Sequence, residues 1–309
     1  MKAVIYTTYG PPSVLQLTDI AKPVPDHNEV LVRVSASTVT SGTLWLRKGA
    51  FPGSTLFTVL LRLMFGITRP RKPVLGVEFS GTVEAVGDSV AQFRPGDVVY
   101  GTTTGLRQGA YAQYVCVPET WREGVLAVKP TELTFQEAAA LPVGSMTALH
   151  ILQKAAIQQG QEVLIYGASG SVGTYAVQLA TYFGGRVTAA CSPANFAMVQ
   201  SIGANAVVDY AQPDLSNWEN RFDVVFDAVG KLPSSLGKQL VKKGGHFLSV
   251  KSVTSEKVEY LRSIHQIIAE GRLKPVIDRT YPLDEIVDAH AYVELGHKKG
   301  NVVVTVLNS

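Results

Sequence analysis

The chain has 309 residues, of which 46% are hydrophobic and 17% charged, with a formal net charge of +3 at pH 7. This length predicts two domains at about 100–200 residues each, and the small net charge argues against dedicated nucleic-acid binding. The two cysteines are too few for a disulfide framework and favour a reducing compartment, which we expect to be the cytoplasm. We predict no signal peptide and no membrane-spanning segment, because no stretch approaches about 20 apolar residues.

The first 120 residues predict short strands separated by Gly and Pro turns. Residues 29–35 alternate apolar and polar side chains, as a half-buried strand does. Similar patterns predict strands at 2–6, 14–19, 77–86, 97–100 and 110–117. A series of this kind predicts a small β-barrel or sandwich.

The pattern changes near residue 134, where helices begin to alternate with apolar strands. Because the strands are apolar almost throughout, the alternation predicts a doubly wound parallel sheet covered on both faces. The predicted helices are 135–141, 145–153, 174–183, 195–202 and 256–270, and the predicted strands are 163–166, 186–190, 206–208, 222–226, 245–250 and 301–307.

A glycine-rich turn lies between the strand 163–166 and the helix that follows it. Glycines without a Cβ let the backbone approach a pyrophosphate, and the helix directs its free N–H groups at the phosphates. A tight turn that binds nothing is the alternative. The predicted binding residues are Gly167, Ser169, Gly170, Ser171, Val172 and Gly173.

The segment after this turn favours NADP(H) over NAD. An NAD site normally has an acid about 20 residues on, which holds the ribose 2′-hydroxyl, but no Asp or Glu occurs between Gly173 and Asp209. Ser192 and Asn195 are the predicted donors to a 2′-phosphate. Both side chains are equally well suited to cap the next helix.

In the order of its motifs, the chain resembles the medium-chain dehydrogenase/reductase superfamily, in its zeta-crystallin-like quinone oxidoreductase branch. The resemblance rests on residues 75–81, 93–99, 138–149, the glycine turn and 299–303. It implies a GroES-like substrate domain formed by 1–120 and 272–309, and a Rossmann-type dinucleotide domain formed by 121–271. The active site would lie between them.

The resemblance also implies further cofactor positions. Tyr210 would approach the adenosine phosphate, and Ala194 stands where many relatives carry a cation. The other implied positions are Thr147, Val229 and Val250 near the nicotinamide, and Asn301 in the closing motif.

Zinc is not expected in this chain. The catalytic-zinc positions of the superfamily's alcohol dehydrogenases correspond to Thr40, Val77 and approximately Val143. Valine cannot ligate zinc and a threonine hydroxyl is a poor ligand. Cys116 is the single cysteine in the segment where a structural-zinc lobe needs four.

Four residues near position 40 are candidates for the substrate cleft. Thr40, Ser41 and Thr43 could donate a hydrogen bond to an oxygen that gains negative charge, although hydroxyls in turns more often bond to the local backbone. Trp45 could stack on a flat substrate or simply pack in the core.

The apolar stretch 56–65 has three interpretations. It could be a packed helix of the substrate domain, an apolar lid that favours hydrophobic substrates, or an amphipathic helix that lies on a membrane surface.

Two functions are consistent with these residues. The first is an NADPH-dependent reductase of quinones, α,β-unsaturated carbonyls or related reactive carbonyls, with a small hydrophobic substrate. The second is an NADP(H)-binding protein with little catalysis. A homodimer is expected from the family, although residues 250–256 leave no room for the late strand through which relatives pair.

Overall fold

The computed structural model describes residues 1–105, 107–211 and 218–306. They form two compact units, Met1–Pro142 with the segment that begins at Ile277, and Val143–Val276. The sequence predicts two units of the same kind, with the chain passing between them after residues 120 and 271. In the structure the first boundary lies later, because Ala139 and Ala140 pack with Ala36 and Val303 in the core of the first unit.

The first unit is built on a seven-stranded sheet of order β13-β14-β3-β4-β5-β7, in which β6 also pairs with β3. The neighbours from β14 through β7 are antiparallel, whereas β13 and β14 are parallel. A separate antiparallel pair joins β1 to β2. The strands are β1 Lys2–Ile5, β2 Gln16–Asp19, β3 Glu29–Thr38, β4 Glu78–Val86, β5 Val98–Thr102, β6 Tyr114–Pro118, β7 Leu126–Val128, β13 Ile277–Pro282 and β14 Asn301–Thr305.

Helices of the first unit are α1 Ser41–Lys48, α2 Thr55–Phe65, α3 Phe135–Ala140 and α9 Ile286–Glu294. The sequence patterns predict α3, and α2 coincides with the apolar stretch 56–65. They do not predict α1, α9, β7 or β13. The predicted end of the last strand at 307 lies outside the described residues.

The second unit confirms the predicted parallel sheet. Its order is β10-β9-β8-β11-β12 and every neighbouring pair is parallel. The elements are β8 Glu162–Tyr166, β9 Arg186–Cys191, β10 Ala206–Asp209, β11 Phe222–Asp227 and β12 Val241–Ser249, with helices α4 Pro142–Leu152, α5 Ser171–Tyr182, α6 Phe196–Ser201, α7 Ser234–Leu240 and α8 Val258–Ala269. Residues 250–257, all within the described part, form no strand.

This strand order has a consequence for ligand binding. The chain steps outward from β8 to β9 and β10, and then returns to add β11 on the other side of β8. In open α/β sheets, ligands bind beyond the carboxyl ends of the strands where the order reverses. That point lies between β8, which ends at Tyr166, and β11, which ends at Asp227.

Candidate functional site

The glycine turn begins at this reversal point, and two of its glycines are required by the protein itself. Gly167 has φ +79°, and a Cβ there would lie 2.5 Å from Cγ1 of Val229. A Cβ on Gly173 would collide with the carbonyl oxygen of Gly167. These two glycines therefore let α5 pack closely against the end of β8 and against the loop after β11.

Gly170 differs from its neighbours, because nothing in the protein requires a glycine there. Its φ is −78°, and a Cβ would meet only the Gly167 oxygen, at 3.6 Å. Gly170 is the N-cap of α5, where no side-chain cap and no first-turn acid occur among the described residues. Because the first N–H groups of a helix have no intrahelical partner, this terminus fits the pyrophosphate of a dinucleotide.

Asp227 holds the loop that faces the glycine turn, although the sequence patterns did not single it out. The residue is 1% exposed. It accepts hydrogen bonds from the backbone N–H groups of Val229 at 3.2 Å, Gly230 at 2.8 Å and Leu232 at 3.2 Å. The Asp227 carbonyl accepts from Val250 N at 3.0 Å. Two predicted nicotinamide neighbours, Val229 and Val250, are thus fixed by the end of β11.

The end of β9 carries the predicted 2′-phosphate residues. Asn195 is 7% exposed, and its Nδ2 donates to Ser192 Oγ at 3.0 Å. Its Oδ1 has no hydrogen-bond partner among the described residues. Ser192 and Asn195 occupy the N-cap positions of the turn 193–195 and of α6, but neither side chain accepts a capping hydrogen bond there.

An aromatic pair lies at the same edge of the sheet. The ring of Tyr210, 45% exposed, meets the ring of Tyr166 edge to face with centroids 6.1 Å apart. Tyr166 ends β8 and Tyr210 follows β10, so the pair spans the end of β9 between them. Tyr166 was missed because its place in an apolar strand predicts a core residue.

Helix α4 contacts the beginning of α5. A Cβ on Gly144 would lie 2.6 Å from Ser171 Oγ. Thr147 stands one turn later on the same face of α4, because residues three apart are neighbours on a helix. Asn301 belongs to the first unit, where it begins β14 and is 4% exposed. Its role toward the cofactor stays a prediction.

In the first unit, Thr40 and Thr43 bind each other at the start of α1. Thr43 N donates to Thr40 Oγ1 at 3.2 Å and Thr40 N donates to Thr43 Oγ1 at 3.1 Å, which is a complete capping box. Thr43 Oγ1 also donates to the Thr40 carbonyl at 2.8 Å. The Thr40 hydroxyl proton has no acceptor among the described residues. Ser41 is exposed.

Trp45 is half-buried, and its ring centroid lies 4.6 Å from that of Phe51. Phe51 in turn lies 5.3 Å from Phe57 of α2. The indole is therefore one end of a row of three aromatic rings that joins α1 to α2.

A buried polar network joins α1 to the residues packed against it. Arg47 is fully buried, forms an ion pair with Glu294 and donates from Nε to His290 Nδ1 at 3.3 Å. Since an arginine can only donate, His290 carries its proton on Nε2, which lies 3.2 Å from the Tyr111 hydroxyl. That hydroxyl is 2.9 Å from the Thr38 carbonyl and 3.2 Å from Thr43 Oγ1. Burial, with a smaller contribution from the Arg47 charge, lowers the pKa of His290 to about 3.

The residues present do not fit zinc. In residues 1–105, 107–211 and 218–306, no group of three or more His, Cys, Asp or Glu side chains could hold a metal ion. Val77 is a buried valine and the Thr40 oxygen accepts the capping bond. Burial raises the pKa of Cys116 to about 12 and that of Cys191 to about 11, so neither is readily a thiolate ligand.

Comparison with known proteins agrees with this architecture. Residues 26–130 match the alcohol dehydrogenase GroES-like domain, and 171–273 and 251–304 match two zinc-binding dehydrogenase families. The 2-methylene-furan-3-one reductase of Solanum lycopersicum is 32% identical over 98% of this chain and 79% of its own. The chloroplastic NADPH-dependent alkenal/one oxidoreductase of Arabidopsis thaliana is 29% identical over the same shares.

Solved structures agree as well. The quinone oxidoreductase of Coxiella burnetii is 27% identical, with a TM-score of 0.83 over 99% of both chains. The relatives, together with the glycine turn, identify an oxidoreductase with a nicotinamide cofactor. The chain belongs to the medium-chain dehydrogenase/reductase superfamily, in its quinone oxidoreductase branch.

Proposed function

We propose that this oxidoreductase uses NADPH to reduce α,β-unsaturated carbonyls, quinones or related reactive carbonyls, without zinc. The observation that carries the proposal is the uncapped start of α5 at Gly170, together with a β9 that is followed by Ser192 rather than an acid. The neighbouring carboxylate, Asp209 of β10, accepts from Ala211 N at 2.9 Å. Relatives named for enone, alkenal and quinone reduction support the substrate class.

The preference for NADPH rests on Ser192 and Asn195. A carboxylate directly after β9 would repel a 2′-phosphate, whereas the residue at this position, Ser192, carries no charge. If the Asn195 amide turns over, its two N–H donors face the position where Oδ1 now has no partner, and its oxygen accepts from Ser192. A buried amide left unpaired costs about 1–3 kcal/mol, which a bound anion would recover.

Each part of the chain then has a defined task. The Gly170 turn and the first turn of α5 hold the pyrophosphate, Tyr166 and Tyr210 flank the adenosine end, and Asp227 keeps Val229 in place. When bound, the nicotinamide supplies a hydride to the acceptor.

Thr40 is the proposed hydrogen-bond donor to the substrate. Reduction of an enone or a quinone develops negative charge on oxygen, which a positioned donor stabilises. The capping box fixes the Thr40 side chain while its hydroxyl proton is free to donate. Thr43 has a positioning role, because its own proton is directed to the Thr40 carbonyl.

The activity is tested by following the oxidation of NADPH and NADH with a panel of enones, alkenals and quinones, with and without a chelator. Turnover that prefers NADPH and survives chelation is expected. Tight NADPH binding without turnover would instead support a binding protein with little catalysis, and loss of activity on chelation would contradict the zinc-free proposal.

The cofactor preference is tested by Ser192→Asp. We expect kcat/KM with NADPH to fall at least about tenfold while that with NADH stays the same or rises, because the new carboxylate repels a 2′-phosphate and accepts from a 2′-hydroxyl. Ser235→Asp is the matched control, since it adds the same charge at an exposed site in the first turn of α7. Equal losses with both cofactors would contradict the role of Ser192.

A further inference from the structure

Helix α2 departs from the usual amphipathic pattern. A surface helix normally turns apolar side chains inward and polar ones outward. The inward stripe of α2 consists of the half-buried Thr58, Leu61, Arg62 and Phe65. Thr58 Oγ1 accepts from Phe51 N at 2.9 Å, and Arg62 Nε donates to Gly49 O at 2.9 Å. The Arg62 guanidinium also lies 4.8 Å from the Tyr9 ring centroid. The polar side chains thus attach the helix to the protein.

Six of the eight apolar side chains of α2 face outward. None of its eleven residues, all of which the structure describes, is buried. Helix α2 packs on the first unit through one face only, since Thr58, Leu61, Arg62 and Phe65 are half-buried and its other residues are exposed. Contiguous exposed apolar surface of this kind marks an interaction site. The exposed side chains are Leu56, Phe57, Val59, Leu60, Leu63 and Met64 of α2 together with Ile67, and their exposed fractions range from 44 to 67%.

Positive charge lies at the C-terminal end of this apolar face. No Asp or Glu occurs from Val30 to Val77. Arg69, Arg71 and Lys72 follow the helix and are exposed. An open cavity of about 640 Å³ lies beside its end and is lined by Tyr6, Thr7, Ile67, Arg69 and Arg71 among others, with no acid among its described lining residues. Arg71 donates to the Met64 carbonyl at 3.2 Å, which holds one guanidinium at the end of α2.

We propose that α2 and the turn at 66–72 dock this protein on an anionic phospholipid membrane. The apolar face of α2 would enter the boundary between headgroups and acyl chains, and the cations at 69, 71 and 72 would meet lipid phosphates at the cavity. Apolar surface joined to basic flanks is the composition by which interfacial helices bind anionic bilayers.

Charge argues against a second copy of the chain as the occupant. A two-fold interface places the same patch on both subunits, so pairing through α2 would bring two sets of Arg69, Arg71 and Lys72 together with no acid in the segment to offset them. The mode of attachment is peripheral, since no helix of the described chain is long and apolar enough to cross a bilayer.

The test is co-sedimentation of the whole protein with vesicles of phosphatidylcholine alone or mixed with phosphatidylglycerol, without cofactor or acceptor. We expect binding to the anionic vesicles that weakens with salt. Binding to neither vesicle, or equally to both at every salt concentration, would overturn the proposal. Because no turnover is measured, this outcome is independent of the proposed function.

Two variants separate the apolar and the electrostatic contributions. Leu60→Gln/Leu63→Gln/Met64→Gln should abolish vesicle binding, whereas Val24→Gln/Val253→Gln, at exposed valines outside α2, should not. Arg69→Gln/Arg71→Gln/Lys72→Gln should weaken binding about 100-fold at low salt. The matched control for charge is Lys154→Gln/Lys238→Gln/Lys243→Gln, which removes exposed lysines of the second unit.

Thermal melts establish that each variant folds. Vesicle binding that survives the α2 variant would overturn the proposal. The proposal would also be overturned if the wild-type protein did not bind vesicles but self-associated in lipid-free sedimentation velocity, and the α2 variant did not self-associate. The occupant of the α2 face would then be a second copy of the chain.

Discussion

The N-termini of α1 and α5 differ in how the backbone N–H groups of the first helical turn find hydrogen-bond partners. At α1 the capping box of Thr40 and Thr43 satisfies backbone N–H groups from within the chain. At α5 the N-cap is Gly170, which has no side chain to offer. A helix start that is closed by its own residues can position a side chain, whereas one left open can bind an anion.

The surroundings of the two helices differ in the same sense. Beneath α1, Arg47, His290 and Tyr111 form a buried hydrogen-bonded network that reaches Thr43. Around α5, close packing of glycines brings Val229 and Gly144 against the turn. Rigidity at α1 therefore comes from polar bonds, and at α5 from the absence of side chains.

The largest expected effect is on the pH dependence of stability at the α1 network. The pKa of His290 is about 3 in the folded protein, against 6.5 for an unperturbed histidine. Because the unfolded chain takes up a proton that the folded chain refuses, stability is present above pH 6.5 and is lost as the pH falls toward 3. Protonation of His290 in the unfolded chain should lower the free energy of unfolding by about 3 kcal/mol at pH 4 relative to pH 7, as measured by urea unfolding.

His290→Gln should flatten that pH dependence, because an amide can accept from Arg47 and donate to Tyr111 without titrating. The matched control is His150→Gln in the second unit, where the histidine is half-buried and bonds to Tyr260 at 3.0 Å. An unchanged slope in the His290 variant would contradict the neutral buried imidazole.

Next in size is the effect of a methyl group at the open helix start. Gly170→Ala should leave the melting temperature nearly unchanged, since the Cβ has room in the protein. It should weaken cofactor binding by about 10- to 100-fold, or about 1.4–2.7 kcal/mol, because it occupies the approach of the pyrophosphate. Isothermal titration calorimetry with NADPH measures this.

Gly42→Ala in the closed helix α1 is the control. Its Cβ would meet only Thr40 Oγ1, at 3.5 Å, and alanine should stabilise the helix by up to about 1 kcal/mol. Cofactor affinity should not change. Equal losses of affinity in both variants would remove the distinction between the two termini.

The smallest expected effect is at Thr40. Thr40→Val should reduce turnover by about tenfold or more through loss of the donor, and stability by about 1 kcal/mol through loss of the cap. Thr40→Ser should restore both. Steady-state kinetics and thermal melts measure the two effects.

Thr134→Val provides the comparison, because Thr134 and Glu137 also form a complete capping box, at α3. That variant should lose similar stability and keep its turnover. If the two variants lose turnover equally, Thr40 is a structural cap and nothing more.

Local patterns accounted for most of the fold and for the cofactor turn. Period-two alternation and apolar runs predicted every strand of the parallel sheet and most strands of the first unit, and Gly167 to Gly173 predicted the dinucleotide turn with its helix. The patterns missed α1 and α9, which are eight and nine residues long, and β13, where only two of six residues are exposed and none is buried. Short elements with mixed burial leave no clear period.

The sequence by itself determined what depends on neighbours along the chain: most of the strands and helices, the glycine turn, and the lack of an acid between Gly173 and Asp209. Tertiary structure decided what depends on distant contacts. His290 bonds to Arg47, which is 243 residues away in the sequence. Asp227 holds the loop that faces the glycine turn because β11 pairs with β8. Tertiary structure also decided which face of α2 is exposed, because a run of apolar residues has no periodicity that predicts which side packs against the protein.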